Sequence, residues 1–154
     1  MLYSLIRNIL AMSEWDSRFL KMATEVASWS KDPSRKIGCV IVRHRRILAS
    51  GYNGFPRGIK DTPERLNTRE LKYKYVVHAE MNAIYNAIQH GVSLDGATLY
   101  AIGLPICSEC AKGIIQVGID RVVIPKQDIP EHWRESCGLT YELFDEASIQ
   151  YDMI

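Results

Sequence analysis

Two short segments hold most of the residues able to bind a metal or move a proton: HAEMNAI at 78–84 and PICSECAKGII at 105–115. His78, Cys107 and Cys110 offer one imidazole and two thiolates, the donor types zinc prefers. Cys107 and Cys110 stand three apart at the start of a helical pattern, so both thiols face one way. The positive end of that helix favours thiolate over thiol. Three protein ligands leave the fourth tetrahedral position open, as in a catalytic zinc site, and water there ionises near neutral pH. Glu80, two residues after His78, reaches that position without binding the metal and can take up and hand on a proton.

Each half of this constellation has a plainer explanation. C-x-x-C alone suits a redox pair or two small core residues, and His-x-Glu alone suits a polar helix start. Their joint occurrence at two strand-to-helix junctions carries the metal reading. A fourth protein ligand would make the zinc structural instead. Cys39, Cys137, His44, His90 and His132 qualify by type, but none sits in a ligand-like motif. Cys39 lies in an apolar strand and reads as a small core residue.

The elements that must position these groups follow from hydrophobic spacing. Ser13 with Asp16 resembles a capping box, and Trp15, Phe19, Met22, Val26 and Trp29 form one helical face up to Pro33. Ile37–Val42 and Ile47–Ala49 read as two strands, joined by a charged tip at Arg43-His44-Arg45-Arg46 that is either a solvated turn or an anion site. Residues 59–74 are polar, with charges of both signs. Ala79, Ala83, Ile84, Ala87 and Ile88 define a helix that Gly91 stops. ATLYAI (97–102) is a strand, 107–117 a helix ended by Gly118, and 121–124 a strand. We expect a last strand over Leu139–Phe144. Strands alternating with helices imply a layered α/β domain.

The chain has 154 residues, 47% hydrophobic and 24% charged, enough to bury a core as one domain. Its net charge of +1 gives no electrostatic reason for a nucleic-acid or membrane partner. Four cysteines in a chain this long are no disulfide scaffold, and C-x-x-C points to metal or redox chemistry in an intracellular protein. MLYSLIRNILA has helical apolar spacing, is too short to span a bilayer and lacks a signal-peptide cleavage region. We read residues 1–12 as an N-terminal extension, 13–154 as a single domain, and the protein as soluble and cytoplasmic.

GYNGFPRG (51–58) is either an ordinary turn or a place where backbone approaches a ligand. Its sequence context favours the second reading. The segments WSKDPSRKIGCVIV (29–42), ILASGYNGFPRGI (47–59), YKYVVHAEMNAI (73–84), GATLY (96–100) and CSECAKGIIQVGIDRVV (107–123) resemble the zinc-dependent cytidine deaminase superfamily. GYNGFPRG is similar to its deoxycytidylate (dCMP) deaminase branch, and the likeness spans nearly all of 13–145.

This resemblance implies a three-layer α/β/α domain with a five-stranded mixed sheet. It implies hydrolysis of dCMP to dUMP and ammonia, with one catalytic zinc per chain on His78, Cys107 and Cys110. Activated water would attack C4 of cytosine while Glu80 protonates N3 and then carries a proton to the departing amine. The backbone of Ala79 would contact the base, and Asn53 would line the substrate pocket. Ser30, Ser34, Arg35 and Lys36 surround the expected phosphate position, with Arg35 and Ser30 the candidates we assign to the substrate. The branch also implies homo-oligomers, dimers or hexamers, and triphosphate effectors, dCTP activating and dTTP inhibiting. The effector candidates are Gly51, Tyr52, Asn53, Gly54, Phe55, Pro56 and Gly58.

The sequence departs from the family pattern at three places. Ile106 separates Pro105 from Cys107, where proline usually precedes the cysteine directly. Residues 59–77 contain neither Cys nor His, so a second zinc is not expected. No tyrosine occurs from 121 to 140, which leaves Trp133 either to stack on cytosine or simply to pack. The alternatives are a deaminase of another cytosine nucleotide or nucleoside, or of tRNA adenosine, and a non-catalytic zinc-stabilised interaction module. The near-neutral charge argues against tRNA.

Overall fold

Ser13 and Asp16 form the expected capping box: Ser13 Oγ accepts from the Asp16 amide at 3.0 Å, and the Asp16 carboxylate accepts from the Ser13 amide at 3.2 Å. They open α1 (Glu14–Ser28), the first element of a computed structural model that describes residues 13–154. The helical spacing noted over residues 1–11 lies outside the described residues.

Strand β1 (Gly38–Arg43) pairs antiparallel with β2 (Arg46–Tyr52) through a two-residue turn. His44 and Arg45 adopt φ of 51° and 60° there, the left-handed pair that a tight hairpin requires. The charged tip is therefore a turn. Strand β2 runs further than the sequence suggests and takes in Gly51 and Tyr52. Polar residues 59–74, left without elements in the sequence reading, contain two short helices, α2 (Pro63–Asn67) and α3 (Arg69–Tyr75). Thr62 caps the first by accepting from the Arg65 amide at 3.3 Å. Then follow α4 (Ala79–Gln89), β3 (Thr98–Ile102), α5 (Ser108–Gln116) and β4 (Arg121–Ile124).

The expected strand over Leu139–Phe144 is instead the end of a helix, α6 (Arg134–Glu146), and the fifth strand is β5 (Gln150–Met153). LTYELF alternates like a strand at Leu139, Tyr141 and Leu143. The side chains it buries are Cys137, Thr140 and Phe144, at helical steps of three and four. A polar residue on the buried stripe masked the period.

The sheet order is β2-β1-β3-β4-β5, with β1 antiparallel to both neighbours and β3, β4 and β5 parallel. On one face Val40, Val42, Tyr100 and Val123 pack beneath Phe19, Ala23 and Val26 of α1. On the other, Cys39, Ile41, Leu99 and Val122 pack beneath α4, α5 and Phe144 of α6. The result is the three-layer α/β/α domain with a five-stranded mixed sheet, and Cys39 is indeed a core residue. At the first face, Arg121 donates to Asp16 at 2.8 and 3.1 Å and to Asp152 at 2.8 Å, and Tyr100 Oη donates to Asp16 at 2.8 Å.

Gly51 is the point where β2 and α4 touch: a Cβ there would overlap the backbone of Ala79 and Ala83. At the open edge of β2, Asn86 Nδ2 donates to Ser50 O and Asn82 Nδ2 to Tyr52 O, both at 2.8 Å.

Candidate metal centre and active site

The three expected ligands arrive on two helix starts. His78 is the N-cap residue of α4, and its chain neighbour Val77 is pinned to Gly54 by two backbone bonds, of 2.8 and 3.2 Å. Cys107 is the N-cap residue of α5, where its Sγ accepts from the Cys110 amide at 3.4 Å. Cys110 sits one turn into the same helix. Both sulfurs lie 3.4 Å from His78 Nδ1, and the three donor atoms all lie within 4.8 Å of one another. A tetrahedral zinc with ordinary Zn–S and Zn–N lengths sets such donors roughly 3.5 Å apart, so the set fits zinc. Among the described residues no other histidine, cysteine or carboxylate joins this group. Cys39, Cys137, His44, His90 and His132 thus do not close the site.

Two thiols, an imidazole and a carboxyl crowded into one buried place perturb one another. The Cys107 thiol is lowered to about 4, first by a hydrogen bond from Cys110 and then by His78, against its burial. Its partner Cys110 is pushed up by sharing its proton with Cys107 and by burial. The hydrogen bond with Cys107 raises the His78 imidazole. Burial pushes the Glu80 carboxyl above the ordinary carboxylate range, with His78 opposing. Glu80 is only 4% exposed, and its Oε2 accepts from the Cys110 thiol at 3.7 Å.

A cavity of about 320 Å³ opens onto this centre, bordered by His78, Glu80 and Cys107 at its floor and by Asn53, Arg35 and Trp133 on its walls. That volume suits a small ligand. The site lies by the ends of β3 and β4, where open α/β sheets usually take ligands.

The other expected residues separate into groups. Asn53, Arg35 and Trp133 border the cavity. The Asn53 amide is already engaged: Oδ1 accepts from Ile37 N at 2.9 Å, while Nδ2 donates to Arg35 O at 2.9 Å. Trp133 sits with its ring centroid 6.4 Å from that of His78. Ser30 is buried outside the lining, donating to Asn53 O at 2.8 Å. Ala79 is fully buried in the first turn of α4. Of GYNGFPRG only Asn53 reaches the cavity. Gly51 packs on α4, Tyr52 meets Trp29 edge-on at 6.2 Å, and Phe55 packs on Tyr75 at 5.7 Å. Ile59 N donates to Pro56 O at 3.1 Å, closing a turn with Gly58 at φ 80°.

Among the lining residues that the sequence reading missed are three charged ones, Asp32, Arg69 and Lys72. Asp32 preceding Pro33 looks like a turn, and Arg69 and Lys72 lie in a polar stretch that looks solvated. Only the fold brings them together.

Layering and metal centre together define a zinc-dependent deaminase: the chain belongs to the cytidine and deoxycytidylate deaminase family, matching its zinc-binding region over residues 13–126. It is 36% identical over 144 residues to the deoxycytidylate deaminase of Pongo abelii, covering 90% of this chain and 78% of that protein. It is 40% identical over 141 residues to an uncharacterised deaminase in the luxG 3′ region of Aliivibrio fischeri, covering 90% and 92%. The dCMP deaminase of cyanophage S-TIM5, solved with dCMP and dUMP, superposes with a TM-score of 0.76 at 23% identity, over 94% of this chain and all of that one; this likeness speaks for the fold.

Proposed function

We propose that the chain hydrolyses dCMP to dUMP and ammonia, supplying dUMP for thymidylate synthesis. The observation that carries this reading is the placement of buried Glu80 beside a three-donor metal centre at the floor of one cavity. His78, Cys107 and Cys110 would hold a zinc ion, which would supply Lewis acidity and an activated water there. Glu80 is the proton carrier: it holds a proton for N3 of cytosine and then carries a second to the leaving amine. The backbone amide of Ala79 contacts the base, and Trp133 stacks on the ring. Arg35 binds the 5′-phosphate, and Arg69, which also lines the cavity, is a second guanidinium for it. Ser30 and Asn53 shape this wall through the hydrogen bonds described.

Regulation by dCTP and dTTP at Gly51–Gly58, and assembly into dimers or hexamers, belong to the same proposal. Its support is that Gly54 is bonded directly to the residue before His78, a short path from loop to metal ligand. Cytoplasmic residence is proposed on the four free cysteines. Among the described residues no helix is long and apolar enough to cross a membrane.

Ammonia release from dCMP, CMP, deoxycytidine, dCTP and a tRNA stem-loop tests the substrate. dCMP should be preferred; a rate on deoxycytidine equal to that on dCMP would remove the phosphate assignment. Adding dCTP or dTTP to the same assay, with sedimentation of the protein, tests regulation and assembly.

A further inference from the structure

Cys107 differs from the other two ligands in how its position is fixed. Cys110 lies within α5, and the hydrogen bonds of that helix define its backbone. His78 is flanked by the Gly54–Val77 bridge. Cys107 stands before the first turn of α5, after Ile106, whose φ no proline ring constrains. Its own helix holds it on one side only, Ala111 N donating to Cys107 O at 2.9 Å, and the peptide before it, with φ −78° and ψ 159° at Cys107, is held from outside.

Helix α6 does this from two positions one turn apart. Thr140, with no exposed surface, donates its hydroxyl to Ile106 O at 2.9 Å, and Ser136 O lies near the same hydroxyl at 3.1 Å. Ser136 Oγ accepts from the Ser108 amide at 2.9 Å and lies 3.1 Å from Ser108 Oγ. Ile106 O belongs to the peptide plane before Cys107, and the Ser108 amide to the plane after it. Fixing both planes fixes φ and ψ of Cys107, and with them the direction of its Cα–Cβ bond. The Ser108 amide is also one of the donors that a helix start leaves without a partner, and Ser136 supplies the acceptor.

We infer that Ser136 and Thr140 are positioning residues for Cys107, holding its sulfur in the zinc-binding arrangement before metal arrives. They touch neither metal nor substrate. Their contribution is to zinc affinity, because a thiolate already in place does not have to be ordered on binding.

The test is zinc affinity of the full chain, by competition with a chromophoric chelator, for Ser136→Ala, Thr140→Val and Thr140→Ser. Ser136→Ala and Thr140→Val should each weaken zinc binding about tenfold or more. Thr140→Ser, which keeps the hydroxyl, should bind as the wild type does. Cobalt substitution gives a second readout, since a displaced thiolate alters the sulfur-to-metal absorption. Val123→Ala, in the core on the other face of the sheet, is the control for general destabilisation. Wild-type affinity in both Ser136→Ala and Thr140→Val would overturn the inference. So would an equal loss in Val123→Ala, because the effect would then follow stability alone. If Thr140→Val does not fold, partly exposed Ser136 still decides the matter.

Discussion

Asp32 and Lys72 meet at 2.9 Å with 9% of each side chain exposed, an ion pair sunk into the cavity wall. Asp32 also accepts from the amides of Ser34 at 2.8 Å and Arg35 at 3.1 Å, and from Asn53 Nδ2 at 3.4 Å. One carboxylate thereby ties the 32–35 turn, the GYNG loop and α3 together. Lys72→Met would leave that carboxylate buried without its cation. The expected loss is about 3–5 kcal/mol in chemical denaturation, with a raised KM for nucleotide. A loss below about 1 kcal/mol would show the pair to be dispensable.

The Asp16 cluster sets an acid limit. Burial raises the Asp16 carboxyl, but hydrogen bonds from Arg121, Tyr100 and Ser13 outweigh it and hold it at about 2. A depressed carboxyl stabilises the fold fully above its unfolded value, near 3.9, and that stability disappears as pH falls towards 2. The unfolding free energy should therefore decline from about pH 4 downward, by ~2 kcal/mol in all. Asp16→Asn should be less stable at neutral pH and show a shallower acid slope.

Glu80→Gln keeps the shape of the site and removes the proton carrier. Activity should fall by about 10²–10⁴-fold with zinc content near one per chain. Activity undiminished in this variant would refute the proton-transfer role and favour a zinc-stabilised binding module.

Glycines of the GYNGFPRG stretch should respond unequally. Gly51→Ala drives a methyl into the backbone of α4, so it should cost about 1–3 kcal/mol and lower activity by displacing His78 and Glu80. Gly58→Ala meets open space and strains only its positive φ, for about 1 kcal/mol and near-normal turnover. Thermal melts with parallel assays separate the two.

These contrasts show what one dimension of sequence reveals. The metal ligands were legible as two local pairs, Cys107 with Cys110 and His78 with Glu80, each set by a short spacing at a helix start, while the fold brings the two pairs to one point. The capping box at Ser13 and the hairpin at Arg43–Arg46 were legible for the same reason. Asp32 and Lys72, forty residues apart, carry no local mark of their pairing. The fifth strand was misplaced because Thr140, the residue that interrupts the apolar helical stripe, is buried to hold Ile106. The close approach of α4 to Gly51 was not legible because the sequence does not say which backbone approaches a glycine. Long-range packing fixed each of these.

The two asparagines at the border of the sheet have a consequence for solubility. The Asn53 backbone N–H donates inward to Ile37 O at 3.3 Å, so alternation turns the carbonyls of Tyr52 and Ser50 towards the open side of β2. Asn82 and Asn86 already occupy those carbonyls. A foreign strand seeking to extend the sheet there must first displace two side chains of α4, the helix that carries the chemistry. The chain thus guards itself against runaway strand pairing with the same helix that it uses to present Glu80.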